Sequence, residues 1–161
     1  MRRARCCSNG PASIDTPSQR QDQIGTSVNV VIVGCGRVGA RIAATLDQAG
    51  HRVSVVDLNA AQFRRLPQDF SGKSVVGTGI DEDVLKAADI EDADAFFAVT
   101  NGDNTNIMSA QIAQTVFEIP QVVARIYDPV REDTYRRMGI HTVCPTTTIA
   151  SLMLSAIQGN T

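Results

Sequence analysis

The chain has 161 residues, a formal net charge of -2 and 43% hydrophobic residues, which fits one domain that buries roughly two-thirds of its unfolded surface. So small a net charge gives no global pull toward nucleic acid or an anionic membrane surface. No stretch approaches the ~20 apolar residues of a membrane span.

Aromatic content is 4%, with no Trp, so the expected core is aliphatic. Arg2, Arg3 and Arg5 make the start basic, but no apolar signal-peptide core follows. A cytosolic location is the expectation, and four cysteines without metal spacing agree with it. Residues 1–27 are rich in Ser, Gln, Arg, Pro and Gly, carry Cys6 and Cys7, and lack a hydrophobic period. Such a segment is expected to be disordered, leaving 28–161 as the domain.

From Val28 the pattern alternates. Val28 to Val33 is a continuous apolar run, as for a strand covered on both faces. Val38 to Gln48 has helical spacing and stops at Gly50. Val53 to Val56 reads as a second strand, Ala60 to Leu66 as a short helix stopped by Pro67, and Ser74 to Val76 as a third strand. Asp81 caps a helix running to Ala88. Ala93 to Val99 is the fourth strand, and Asn104 to Glu118 a long helix. Gln121 to Ile126 is the fifth strand, and Pro129 to Met138 a helix with Pro in its first turn. His141 to Val143 is the sixth strand, and Thr146 to Ile157 the last helix. This alternation predicts an α/β, Rossmann-like, doubly wound six-stranded parallel sheet with helices on both faces. A ligand would then lie at the carboxyl ends of the strands.

The first strand runs into Gly34-Cys35-Gly36-Arg37-Val38-Gly39, and Asp57 closes the second strand 18 residues after Gly39. In this pattern Gly34 permits the tight turn, Gly36 the approach of a pyrophosphate, and Gly39 close packing of helix on sheet. Free N–H groups at the helix start then point at phosphates. The Asp57 carboxylate suits ribose hydroxyls and repels a 2′-phosphate, which favours NAD(H) or an adenine nucleotide over NADP. Asn59 adds a ribose contact or simply caps a helix. Arg37 faces the phosphates or lies exposed in the turn. Cys35 is either a thiol activated by the helix N-terminus or a small turn residue.

Other residues carry two readings as well. Arg64 and Arg65 form a solvated basic face or serve a 2′-phosphate. Thr100 to Asn104 contacts ligand, caps the next helix, or both. Gly77 to Asp81 can frame the adenine. Arg125, inside a strand, needs an anionic partner, with Asp128, Asp94 and the ligand as candidates. His51, His141, Tyr127 and Tyr135 read as structural.

With those residues in place, the chain resembles the nucleotide-binding N-terminal domain of the TrkA/Ktr type, also called RCK or KTN. The resemblance covers roughly Val28 to Met153. It includes the glycine turn, Val56-Asp57-Leu58-Asn59, Val76-Gly77-Thr78-Gly79, Ala98 to Asn106, Ala124 to Pro129 and Met138-Gly139-Ile140. It implies a cytosolic regulator of potassium transport that binds NAD(H) or ATP/ADP and gates a membrane potassium transporter subunit. It also implies assembly through dimers, with itself or with a second RCK subunit, at the inner face of the membrane.

By the same resemblance, Gly34, Cys35, Gly36, Arg37, Val38 and Gly39 lie at the phosphates, and Asp57, Leu58 and Asn59 at the ribose. Thr78 and Gly79 lie near the base, and Thr100, Asn101 and Arg125 at the cleft. Thr78 stands where the family usually has an acid. The chain ends soon after its last helix, without the second module common in the family, as expected of a truncated chain or of a compact subunit that pairs with a partner. Ile149, Leu152, Met153, Leu154 and Ile157 pack on the chain's own sheet or against another subunit. The alternatives are an NAD-dependent oxidoreductase or a fragment of one, which needs a substrate domain, and a regulator of a different cation channel or antiporter.

Overall fold

The computed structural model describes residues 27–158. The expected disordered tail, save Ser27, lies outside the described residues, as do Cys6 and Cys7. Six strands, β1 (Asn29–Val33), β2 (Arg52–Asp57), β3 (Lys73–Val76), β4 (Ala95–Ala98), β5 (Gln121–Arg125) and β6 (His141–Val143), form one sheet in the order β3-β2-β1-β4-β5-β6. Every pairing is parallel. Five helices connect or follow them: α1 (Arg37–Gln48), α2 (Glu82–Ala87), α3 (Asp103–Thr115), α4 (Pro129–Arg137) and α5 (Pro145–Gln158). Two short 3-10 helices cover Ala60–Arg65 and Ile90–Asp92.

The strands are apolar throughout because both faces are covered, and alternate residues serve different layers. On one face, Val30, Ile32, Val53 and Val55 pack with Ala40 and Ala43 of α1, joined by Phe63 of the first 3-10 helix. On the other, Val31, Val33, Val56 and Phe96 pack with Leu85 of α2 and with Ala110 and Ala113 of α3. The expected doubly wound architecture is therefore the one present. Its switch point lies between β1 and β4, where the chain leaves one edge and builds toward the other.

Local signals set most of the boundaries. Asp81 accepts the amides of Asp83 and Val84 and caps α2, and Asp128 caps α4 with Pro129 as its first residue. Gly50 has φ +83° just past the end of α1, a backbone conformation that favours glycine. Most boundaries lie within one residue of the sequence reading, and three elements differ by more or in type. The expected fourth strand shrinks to Ala95–Ala98 because Ile90–Asp92 turns in 3-10 form before it. Helix α3 stops at Thr115 rather than Glu118, since Glu118 sits at φ +53° and redirects the chain into β5. The segment Ala60–Arg65 is 3-10 rather than α.

The turn between β1 and α1 holds the most closely packed of the described glycines. A Cβ on Gly39 would stand 1.8 Å from the Gly34 carbonyl oxygen, and Gly34 itself has φ +105°. Gly39→Ala must push α1 off the sheet, an overpacking expected to cost about 1–3 kcal/mol or more. Urea denaturation would show it as a lower midpoint with an unchanged slope.

Candidate nucleotide site

The carboxyl ends of the strands border an open cleft of about 670 Å³. Its wall at β1 is the glycine turn. No side chain caps α1, and its first turn holds no acidic residue. The amides of that first turn are therefore available to an anion in the cleft, which Gly36, Arg37 and Val38 line. A Cβ on Gly36 would meet nothing within 4 Å, so the side left open there is cleft space. Arg37 is the first residue of α1, is exposed, and makes no hydrogen bond or ion pair with the described residues.

Asp57 stands at the end of β2 and ties two loops. One oxygen accepts the Cys35 amide at 2.7 Å, and the other accepts the Asn59 amide at 2.9 Å. Lone pairs remain on both oxygens for ligand hydroxyls. Asn59 itself caps the following 3-10 helix by accepting the Ala61 amide at 3.0 Å, so the capping reading describes its side chain. Leu58, 72% exposed, lines the rim. Of the two arginines beyond, Arg65 lines the cleft and Arg64 does not.

The wall beyond β3 is Gly77-Thr78-Gly79. Gly79 has a packing reason of its own: a Cβ there would lie 2.3 Å from Val33 Cγ1. On the far side Thr100 and Asn101 follow β4, and Arg125 and Tyr127 follow along β5. Pro145 and Ile149 of α5 complete the lining. Gly34, Gly36, Arg37, Val38, Asp57, Leu58, Asn59, Thr78, Gly79, Thr100, Asn101 and Arg125 thus meet around one cleft. Cys35 and Gly39 lie behind the turn, fully buried and buried in turn.

Of the two readings of Cys35, the structure supports the small turn residue over the activated thiol. It is buried, its Sγ reaches the Gln62 carbonyl at 3.5 Å, and burial pushes it up to about 11 from its ordinary 9.0. The Asp57 carboxylate adds to that rise, and Arg65 opposes it. Arg125, in turn, has neither proposed carboxylate as partner. Asp94 accepts the Asn29 amide at 2.7 Å and Asp128 caps α4, while Arg125 makes no ion pair among the described residues.

The sequence reading assigned no role to Asn106. It is fully buried. Its Oδ1 accepts the Thr100 amide at 2.8 Å and the Thr100 hydroxyl at 2.7 Å. Its Nδ2 donates to the carbonyls of Thr100 at 3.0 Å and Arg125 at 2.8 Å. A polar residue at helical spacing with Ala110 and Ala113 on the buried face of α3 was the available signal. Asp103 adds a second tie by accepting the amides of Tyr127 at 2.9 Å and Asp128 at 3.2 Å.

The TrkA-N domain model matches residues 30–146. A Trk system potassium uptake protein TrkA from Streptomyces coelicolor is 48% identical over 127 residues, 79% of this chain and 57% of the relative. The chain therefore spans little more than half the length of that relative. Among solved structures, the Kef C-terminal domain of Shewanella denitrificans in its AMP-bound form superposes with TM-score 0.68 at 23% identity. It covers 81% of this chain and 80% of that one. The GsuK channel bound to NAD gives TM-score 0.62 at 23% identity, over 79% of this chain and 23% of that one. At such identities the structures share the fold.

Because the Cys35 thiol is held neutral more strongly in the folded than in the unfolded chain, its contribution to stability is constant below about pH 9 and falls as pH rises toward 11. Cys35→Ala is expected to lack that added fall. Urea midpoints of both proteins on either side of that range would show the difference.

Proposed function

Since the chain belongs to the TrkA-N domain family, we propose that it is the nucleotide-sensing part of a Trk/Ktr-type regulator, which binds NAD(H) or ATP/ADP and gates a membrane potassium transporter subunit. The observation that carries this reading is the uncapped start of α1 behind Gly36, flanked by an unpaired Arg37 and by Asp57 in a single cleft. Phosphates meet amides and a guanidinium there, and ribose hydroxyls meet the remaining acceptors of Asp57. AMP in the Kef domain and NAD in the GsuK channel support a nucleotide as the ligand class.

The role is binding rather than turnover. A regulator needs only that a ligand favour one of two arrangements of the assembly. Among the described residues no helix is long and apolar enough to cross a membrane. The proposed role implies a cytoplasmic location, peripheral at the inner membrane face through the partner.

Helix α5 supports assembly. Leu152, Met153, Leu154 and Ile157 are 59–75% exposed and Ile149 is 50% exposed, and no residue of the helix is buried. Packing on its own sheet therefore leaves this apolar surface uncovered among the described residues, which supports a second copy or a second RCK subunit as its cover.

Calorimetric titration with NADH, NAD, ATP and ADP is expected to give micromolar binding of at least one. Arg37→Ala, an exposed change, should weaken it about tenfold. Heat-silent titrations with all four would overturn the reading. For assembly, Leu152→Glu with Ile157→Glu is expected to turn a dimer into a monomer by light scattering. An unchanged mass would remove α5 from the interface.

A further inference from the structure

Arg125 is the most unusual charge in the cleft. It ends β5 and is partly buried. One guanidinium nitrogen donates to the Thr100 carbonyl at 2.6 Å, and the group stacks 4.6 Å from the centroid of the Tyr127 ring. Its Nε is sealed from solvent and has no partner. A neutral carbonyl and an aromatic face hold the group in place, but neither supplies the negative charge that a partly desolvated guanidinium calls for.

Position in the sheet says which part of a ligand could supply that charge. In the order β2-β1-β4-β5, Asp57 marks the ribose at β2 and the glycine turn marks the first phosphate at β1. Arg125 lies two strands farther on, roughly 10 Å away at ordinary strand spacing. A nucleoside monophosphate anchored at β2 ends near the turn. Each further phosphate carries the ligand toward β5. The cleft as a whole has the matching sign, with Arg37, Arg65 and Arg125 against one carboxylate, Asp57.

We propose that Arg125, braced by Thr100 and Tyr127, is the specificity-determining residue that reads negative charge beyond the first phosphate, so that the site takes nucleoside di- and triphosphates in preference to monophosphates. This rests on the nucleotide reading of the cleft. A dinucleotide also carries a second phosphate, but as a singly charged diester followed by a nicotinamide riboside rather than by a further phosphate. NADH therefore brings less negative charge toward β5 than ATP does and depends less on Arg125.

The test is calorimetry of AMP, ADP, ATP and NADH on the wild type, Arg125→Gln and Arg125→Lys, with thermal melting to confirm that the variants fold. Tyr127→Leu, which leaves the strand intact, removes the ring beneath the guanidinium and serves as a second probe should Arg125→Gln not fold. The wild type is expected to bind ATP at least about tenfold more tightly than AMP. Arg125→Gln should erase that preference by weakening ATP while AMP stays within about twofold; Arg125→Lys should keep part of it, and Tyr127→Leu should reduce it. Equal weakening of AMP and ATP would make Arg125 a brace of the cleft wall and overturn the proposal. An unchanged ATP affinity, or NADH weakened as much as ATP, would overturn it too. If the wild type binds none of the four, the nucleotide reading itself fails, an outcome distinct from these.

Discussion

The Asp57 carboxylate, 2.7 Å from the Cys35 amide and 2.9 Å from the Asn59 amide, holds together two loops that border the cleft. A carboxylate at the end of a strand is a strong acceptor, and charge-assisted bonds to backbone amides are among the firmer hydrogen bonds a protein makes. With the turn pinned at Cys35, Gly34 can take its positive φ and Gly39 can sit against the Gly34 carbonyl. Helix α1 then starts at Arg37 with its first-turn amides facing open space. The loop geometry around the cleft thus rests on one carboxylate, the same one proposed to receive the ribose.

The opposite wall repeats the device with a neutral side chain. Asn106 spends its amide on four hydrogen bonds that join the β4–α3 turn to the end of β5. Buried amides are costly unless fully paired, and this one is. The pairing specifies one arrangement of Thr100 and Arg125, and a purely apolar residue of similar size would leave the Thr100 amide and the Arg125 carbonyl without partners. Asp103 extends the tie to Tyr127 and Asp128. Thr146 of α5 donates to the Tyr127 carbonyl at 2.9 Å, so the same loop touches the helix whose apolar face is exposed. Cleft and exposed helix are joined by a short run of hydrogen bonds, the kind of contiguous connection through which a bound ligand can bias an assembly.

Much of the site was legible because its signals are local. Gly34, Gly36 and Gly39 are separated by one and two residues, and a strand before with a helix after leaves few other uses for them. Asp81 and Pro129 announced helix starts in the same way. Arg125 was legible as a problem but not as a solution. Its sequence neighbours offered Asp128, yet that carboxylate caps α4, and the groups that do hold Arg125 are Thr100, twenty-five positions earlier, and Tyr127. Cys35 allowed two readings from its neighbours, and burial decided between them. Proximity to a helix start suggests a lowered thiol, whereas burial against β2 and the Asp57 charge raise it.

Contiguous residues determined the element order, the parallel sheet with helices on both faces, the glycine turn and its acid, because hydrophobic period and backbone freedom act over a few positions. Tertiary structure decided which residues meet across the sheet: the order β1-β4-β5 places Thr100, Asn106 and Arg125 together, and the crossing of α5 beyond β6 leaves its apolar side uncovered. Apart from the local Thr100–Asn106 tie, those outcomes depend on contacts between segments 19 residues apart or more, whose partners are chosen by packing rather than by any pattern within a segment.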